Sequence, residues 1–372
     1  LENEAELAGV LAHEIGHVTQ RHVARMLAQN QQSSVLSLAA VVMALVAATQ
    51  NPQAAAGLVA LGGSVQESTM LSFSRDAERE ADRVGLEILR EAGFQPRDMI
   101  AFFGRMQQAT RVYESAAPAY LRTHPLTGER MADIQNRVLD FRYRQHADSL
   151  EFALARAKLA ALADTSVDGL RDQRKSLQNQ LEHGSYLNQA SVWYGLALVA
   201  NAQRDFTTAR EMLAKAGDLA GEQGAAGHPF LARLQAQIEQ DSGHPEQAYE
   251  LVEAALTRFS DSRAIRRMKA DLLIDLKRTA EAVSFLEQER AVYRQDPTLW
   301  RTLARAYFAN GQAGQAHWAT AEEYALLGAW RAAHAQFKLA QKQPGLDFYQ
   351  LSQIDVRLEQ IEATIRREKE RE

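Results

Sequence analysis

The chain has 372 residues, enough for two or three domains, and its 46% hydrophobic and 24% charged residues are ordinary for a globular protein with a large core. A net charge of -5 argues against a nucleic-acid-binding protein, because such proteins usually carry a basic surface. The chain has ten histidines and no cysteine, which excludes a disulfide framework and leaves histidine and carboxylate side chains as candidate metal ligands.

The first third of the sequence has the pattern of several amphipathic helices. Apolar residues at helical spacing predict a helix over residues 4–29, and capping signals and prolines predict others over 74–92, 96–110 and 129–145. Prolines within residues 116–127 predict a loop there. Together with the low aromatic content of 7%, these patterns favour an all-α fold.

An uncharged apolar run covers residues 35–48, and a second covers 54–61. The first is about 14 residues long, which is short of the ~20 residues that a membrane-spanning helix needs. We expect a buried helical hairpin. The alternative is that 35–61 lies peripherally on a membrane surface or grips a hydrophobic client.

From residue 148 the sequence becomes repetitive. Ala248, Ala282 and Ala316 are 34 residues apart, and Ala209 precedes Ala248 by 39, with an insertion at 221–227. A period of 34 is typical of tetratricopeptide repeats, in which small residues lie where paired helices cross closely. The alternative is an unrelated helical bundle that happens to space its alanines in this way.

The repeat pattern sets the predicted domain organisation. We predict a catalytic domain over 1–147, a repeat domain over 148–365 and a charged, solvated tail over 366–372. A further copy begins half a repeat after Ala316, at Ala333. We also predict that Trp193 and Trp300 are packed at helix crossings rather than used for ligand binding.

A metal-binding motif lies in the first predicted helix, at His13-Glu14-Ile15-Gly16-His17. Histidines four residues apart project from one helical face, so that both imidazoles can reach one zinc ion. Glu14 is then the catalytic base, which takes a proton from the attacking water while zinc supplies the acidity. Gly16 allows a neighbouring helix to approach closely. A chance occurrence of the pattern is the alternative.

A catalytic zinc needs a third protein ligand. Gln20 and Val23 stand where the metzincin pattern requires glycine and histidine, which excludes that class, and we expect His22 to be a surface residue. Glu78 and Asp82 share one face of the predicted helix over 74–92. Glu78 is the candidate ligand and Asp82 the candidate partner of a ligand imidazole N–H. Taken alone, the segment would favour a solvated acidic face.

Three segments carry a resemblance to a known family. They are AHEIGH at 12–17, SRDAEREADRVG at 74–85 and Thr-His-Pro at 123–125, and they resemble the gluzincin peptidases of the HtpX and Oma1 type. The resemblance implies that His13, His17 and Glu78 bind Zn²⁺, that Glu14 is the base and that Asp82 supports a ligand. It also implies that His124 can occupy the fourth zinc position and shut the site.

The order of domains is similar to that of periplasmic proteases with a chaperone role in Gram-negative outer-membrane biogenesis. The resemblance implies unfolded or misassembled outer-membrane proteins as clients and docking of the repeats on the β-barrel assembly machinery. The rival hypothesis is a tetratricopeptide adaptor or chaperone without proteolysis, whose zinc site is latched or vestigial. Proteases with this motif bind substrate along an edge strand, and no strand pattern precedes His13. We therefore expect residues upstream of Leu1 to be missing and the chain alone to lack activity.

Overall fold

The structure, a computed structural model, describes residues 2–28, 75–112, 124–139, 146–221 and 224–370. Two compact units divide the chain, Leu1–Phe152 and Ala153–Glu372. Throughout the described ranges the regular elements are helices without any strand, so the predicted all-α fold is confirmed. None of these helices is both long and apolar enough to cross a bilayer. The predicted hairpin and its membrane contact at 35–61 fall outside the described residues.

Among the described residues, six helices belong wholly or partly to the first unit. They are α1 (Glu4–Thr19), α2 (22–28), α3 (75–91), α4 (Pro96–Val112), α5 (Gly128–Val138) and α6 (Leu150–Ala161), the last of which crosses the boundary into the second unit. Asn3 caps α1 by accepting a hydrogen bond from the N–H of Glu6 at 2.8 Å. This cap satisfies a backbone donor that the first helical turn leaves free.

The prediction of one continuous helix over 4–29 is wrong. The hydroxyl of Thr19 donates to the carbonyl oxygens of Ile15 and Gly16, and α1 ends there. Arg21 then adopts a left-handed backbone with φ of 53° before α2 begins. A non-glycine residue in this conformation is uncommon, because Cβ approaches the carbonyl oxygen. The break lies shortly after the metal-binding motif.

Two glycines let α1 and α3 cross at backbone distance. A Cβ added to Gly16 would lie 2.8 Å from the carbonyl oxygen of Ala81, and one added to Gly85 would lie 3.1 Å from the backbone of Ala12 and His13. The predicted close approach at Gly16 is therefore confirmed. The crossing sets the motif of α1 against the acidic face of α3. Below it lies an apolar core contributed by four helices: Ala12, Leu86, Leu89, Met99, Phe103, Ile134 and Val138.

The second unit is a series of antiparallel helices that follows the predicted repeat. They are α7 (Val167–His183), α8 (Gln189–Ala202), α9 (Phe206–Ala220), α10 (Pro229–Asp241), α11 (Pro245–Arg258), α12 (Arg263–Asp275), α13 (Thr279–Val292), α14 (Pro297–Ala309), α15 (Ala313–Leu326), α16 (Trp330–Lys342) and α17 (Phe348–Lys369). A short 3₁₀ turn, Gly224–Gly227, lies at the predicted insertion. The predicted alanines Ala209, Ala248, Ala282 and Ala316 are the fourth residues of α9, α11, α13 and α15, and all are buried.

The two tryptophans of the repeats differ in their surroundings. Trp300 is 4% exposed, packs edge-on against Trp318 with ring centroids 5.5 Å apart, and donates its indole N–H to the carbonyl of Arg294. Trp193 is only half-buried, and the ammonium of Lys215 lies 4.5 Å from its ring centroid. Trp300 therefore has the predicted packing position, whereas the prediction for Trp193 is only partly met.

Candidate metal centre

Four side chains from three parts of the first unit converge at the crossing of α1 and α3. One ligand atom from each of His13, His17, Glu78 and His124 lies within 4.8 Å of the others. His13 Nε2 is 3.0 Å from His17 Nε2, and each is 3.4 Å from an oxygen of Glu78. His124 Nδ1 is 3.0 Å from Glu78 Oε1 and 3.4 Å from His13 Nε2. All four sequence-predicted ligand positions are thus brought together.

The cluster is closed on the protein side and open on the other. His13 and Glu78 are buried, whereas His17 and His124 are only partly covered. Glu14 lies at the open side, 42% exposed, with Oε1 3.5 Å from His124 Nε2. That oxygen is itself inaccessible to solvent and accepts no hydrogen bond from the described residues. A carboxylate oxygen turned into the site beside the cluster is suited to accept a proton there.

Asp82 lies behind the cluster rather than in it. Its Oδ1 is 2.9 Å from His13 Nδ1, on the ring edge that faces away from the other ligands. Burial alone would raise the pKa of Asp82, but hydrogen bonds from His13 and Arg130 outweigh burial and lower the pKa. Asp82 is therefore an anion, which can only accept a hydrogen bond.

Arg130 is a site residue that sequence reasoning missed. Its guanidinium donates to both oxygens of Asp82, approaches Glu78 Oε2 to 2.8 Å and donates to the carbonyl of Pro125. Thr127 caps α5 by accepting a hydrogen bond from the backbone N–H of Arg130. The signal available in the sequence was a Thr-x-x-Arg segment that begins at Thr127, one residue beyond Thr123-His124-Pro125, and it does not by itself reveal a partner 48 residues away.

His22 was expected on the surface, and that expectation is wrong. The side chain is 4% exposed, and its Nδ1 lies 3.0 Å from His17 Nδ1. Its Nε2 lies 3.2 Å from Glu80 Oε2, which Arg25 also binds at 2.9 Å. The break at Arg21 takes His22 off the regular helical register and returns its ring to His17.

The charge balance of the cluster fits a bound metal cation. Burial opposes ionisation of His13, but hydrogen bonds to Asp82 and Glu78 raise the pKa of this imidazole, whereas burial and the neighbouring His13 lower the pKa of His17 to about 4. With Asp82 Oδ1 2.9 Å from Nδ1, a His13 ring protonated on Nδ1 alone turns the Nε2 lone pair toward His17. Two nitrogens 3.0 Å apart and an ionised carboxylate form a donor set that a divalent transition metal would satisfy.

Comparison with known proteins agrees with this geometry. Residues 1–138 match the family described as "Peptidase family M48", and residues 167–335 match the family described as "Tetratricopeptide repeat". The beta-barrel assembly-enhancing protease of Escherichia coli strain K12 is 31% identical over 368 residues, which cover 97% of this chain and 72% of the relative. The protein of the same name from Yersinia pestis is 28% identical over 362 residues, with the same coverage. The mitochondrial metalloendopeptidase OMA1 of Arabidopsis thaliana is 32% identical over 123 residues, 33% of this chain and 22% of the relative.

The fold and the site define a metallopeptidase, a hydrolase of peptide bonds with an HExxH helix. The chain belongs to peptidase family M48, and in it tetratricopeptide repeats follow the peptidase domain. The family implies a metal cofactor, and the cluster of His13, His17, Glu78 and His124 is compatible with one.

Proposed function

We propose that this chain is a zinc-dependent endopeptidase in which His13, His17 and Glu78 hold the metal. The observation that carries the proposal is the convergence of these ligand atoms, with His13 Nε2 3.0 Å from His17 Nε2 and each 3.4 Å from an oxygen of Glu78. Two imidazoles and a carboxylate, with one further position left open, are a donor set typical of catalytic zinc. We assign the peptidase domain to 1–147, the repeats to 148–365 and a charged tail to 366–372.

Each residue of the site has a distinct task in peptide hydrolysis. When bound, zinc would supply a Lewis acid for the scissile carbonyl and acidity for the attacking water. Glu14 Oε1 takes a proton from that water as its oxygen bonds to the carbonyl carbon. Glu14 then delivers the proton to the amide nitrogen as the C–N bond breaks. Asp82 holds His13 in the tautomer and orientation that metal binding requires.

We assign His124 to regulation of the same site. It lies in the non-helical segment before α5, and its Nδ1 is within 3.0 Å of Glu78 Oε1. As a fourth ligand it occupies the position that the attacking water needs, so the enzyme is latched while His124 is in place. Arg130 holds the same segment through the carbonyl of Pro125, and movement of the segment opens the site.

The relatives support a proposal about clients and compartment. Proteins that match 97% of this chain are named beta-barrel assembly-enhancing proteases. We extend that role to this chain, with unfolded or misassembled outer-membrane proteins as clients and the periplasm as its location. The repeat domain supplies an extended helical surface for docking on the β-barrel assembly machinery.

The decisive experiment separates metal binding from hydrolysis. Wild type should contain about one zinc per chain by elemental analysis. Glu14→Gln should keep the zinc and lose cleavage, because it removes the base and leaves the ligands. His13→Ala and Glu78→Ala should lose the metal. Stoichiometric zinc retained in the His13→Ala/His17→Ala double variant would contradict the assignment.

A second candidate function is a non-proteolytic adaptor or chaperone. The close packing of His124 in the cluster favours it, because a permanently latched site does not hydrolyse peptides. A strain carrying Glu14→Gln distinguishes the two. If the strain loses the protein's whole contribution to outer-membrane protein assembly, the result supports the peptidase. If the strain retains that contribution in full, the result supports the adaptor.

A further inference from the structure

His22 is placed in the site by a backbone feature that a regular helix would not provide. In a continuous helix, a residue five positions after His17 points away from it, because one turn takes 3.6 residues. Here α1 ends at Thr19 and Arg21 takes a left-handed conformation with φ of 53°, and His22 folds back to 3.0 Å from His17. Unfavourable backbone conformations of this kind concentrate at functional sites.

The contacts of His22 indicate which nitrogen of His17 carries the proton. Glu80 is paired with Arg25, and its carboxylate can only accept, so the Nε2 of His22 is the donor to it. With Nε2–H given to Glu80, the Nδ1 of His22 is placed 3.0 Å from His17 Nδ1 to accept its N–H. His17 Nε2 consequently keeps its lone pair, and this nitrogen is the one 3.4 Å from Glu78.

This arrangement parallels the one on the other imidazole. His13 Nδ1 lies 2.9 Å from Asp82, which is bound by buried Arg130. His17 Nδ1 lies 3.0 Å from His22, which contacts Glu80, and Glu80 is paired with Arg25, so that the partner is an imidazole instead of a carboxylate. His13 and His17 therefore each have a partner on the outer nitrogen, with an arginine bound to Asp82 behind His13 and to Glu80 behind His22.

We infer that His22 is a positioning residue, which orients His17 and holds it in the tautomer that binds the metal. The inference rests on the proposed function, since it assigns His17 as a ligand. His22 itself does not contact the reacting atoms. Residues in this role typically contribute ten- to a hundredfold in metal affinity.

The test measures zinc affinity by competition with a chromophoric chelator. His22→Leu fills the buried space without accepting the His17 N–H, and we expect roughly 10–100-fold weaker binding. His22→Asn places an amide oxygen close to the position of Nδ1, and its affinity should lie between that of His22→Leu and wild type. Cobalt substitution should show an altered visible spectrum for His22→Leu, because a reoriented imidazole changes the ligand geometry.

Variants further along the chain of contacts provide the control. Glu80→Ala removes the anchor of His22 and should weaken zinc binding in the same direction, whereas Asp76→Ala, also on α3, removes only an exposed pair with Arg79 and should leave binding unchanged. Wild-type affinity and spectrum in His22→Leu would overturn the inference. Equal losses in His22→Leu and His22→Asn, with equally lowered melting temperatures of the metal-free proteins, would also overturn it, because they would show a packing role. Absence of zinc from wild type would instead contradict the proposed function.

Discussion

Arg130 binds Asp82 through two parallel hydrogen bonds, from Nε to Oδ2 at 2.7 Å and from Nη2 to Oδ1 at 2.8 Å. Both side chains are buried. The planar guanidinium matches the carboxylate, which makes such a pair stronger and more directional than a single contact. Because Asp82 also lies 2.9 Å from His13 Nδ1, Arg130 orients this proposed metal ligand through the Asp82 carboxylate.

Removal of this guanidinium should destabilise the first unit strongly. Arg130→Ala leaves Asp82 and Glu78 buried without their cation, and breaking a buried ion pair in this way costs about 3–5 kcal/mol. Arg130→Lys should restore little of this stability, because an ammonium cannot reproduce the bidentate contact. The measurement is urea unfolding of the metal-free protein, followed by circular dichroism.

Arg137 on the same helix is the matched control. It pairs with Asp133 at 2.9 Å, and both side chains are exposed. Arg137→Ala should therefore change the free energy of unfolding by about 0.5 kcal/mol or less. If Arg130→Ala lowers the free energy of unfolding no more than Arg137→Ala does, the buried pair does not stabilise the first unit.

Zinc affinity should depend on pH through His13. Hydrogen bonds to Asp82 and Glu78 overcome burial and raise the pKa of His13 above its ordinary 6.5, while the pKa of His17 is lowered to about 4. Below the His13 pKa, zinc must displace one proton from that ring, whereas His17 is already neutral. Affinity should therefore fall about tenfold per pH unit on the acid side of the His13 pKa and level off above it.

Chelator competition across pH 5 to 9 measures this dependence. Asp82→Asn removes the hydrogen bond that favours the protonated His13 ring. The zinc affinity of that variant should therefore begin to fall only at a lower pH than that of wild type. An affinity independent of pH below 7 in wild type would contradict the assignment of His13 as a ligand that competes with protons.

The parts of the site that follow local rules could be predicted from the sequence. His13 and His17 lie one turn apart on any helix, and the 34-residue period defines the helix pairs of the repeats. Arg130 and His22 could not be predicted in the same way. Arg130 meets Asp82 only because α3 and α5 pack together, and His22 reaches His17 only because the helix breaks at Arg21. Such contacts depend on tertiary packing, which overrides residue spacing.

The repeats should depend on Trp300 for stability. Its ring packs against Trp318, its N–H is bonded to the carbonyl of Arg294, and the guanidinium of Arg290 lies over both rings. Trp300→Ala removes a buried aromatic side chain, which typically costs about 3–5 kcal/mol. Thermal unfolding of the variant should show a lower transition temperature for the repeat unit than that of wild type.

Trp193→Ala is the comparison for that experiment. The half-buried ring of Trp193 has less contact to lose, and its cation–π partner Lys215 contributes about 0.5–1 kcal/mol at an exposed position. The variant should therefore lower stability less than Trp300→Ala. An unchanged melting temperature for Trp300→Ala, with loss of partner binding alone, would mean that Trp300 belongs to a binding surface rather than to the core.

Removal of the latch should raise proteolysis. His124 supplies one of four converging ligand atoms, and three protein ligands suffice for zinc, so His124→Ala should retain the metal. If the latched state holds about nine molecules in ten, opening all of them raises the rate about tenfold. The measurement is casein cleavage by wild type and variant at equal zinc content, with any residues that precede Leu1 in the natural gene included. Glu14→Gln/His124→Ala is the control for contaminating activity. Because His124 Nε2 lies 3.5 Å from Glu14, the side chain is also placed to stabilise the transition state, and cleavage equal to or slower than wild type would reject a purely inhibitory role.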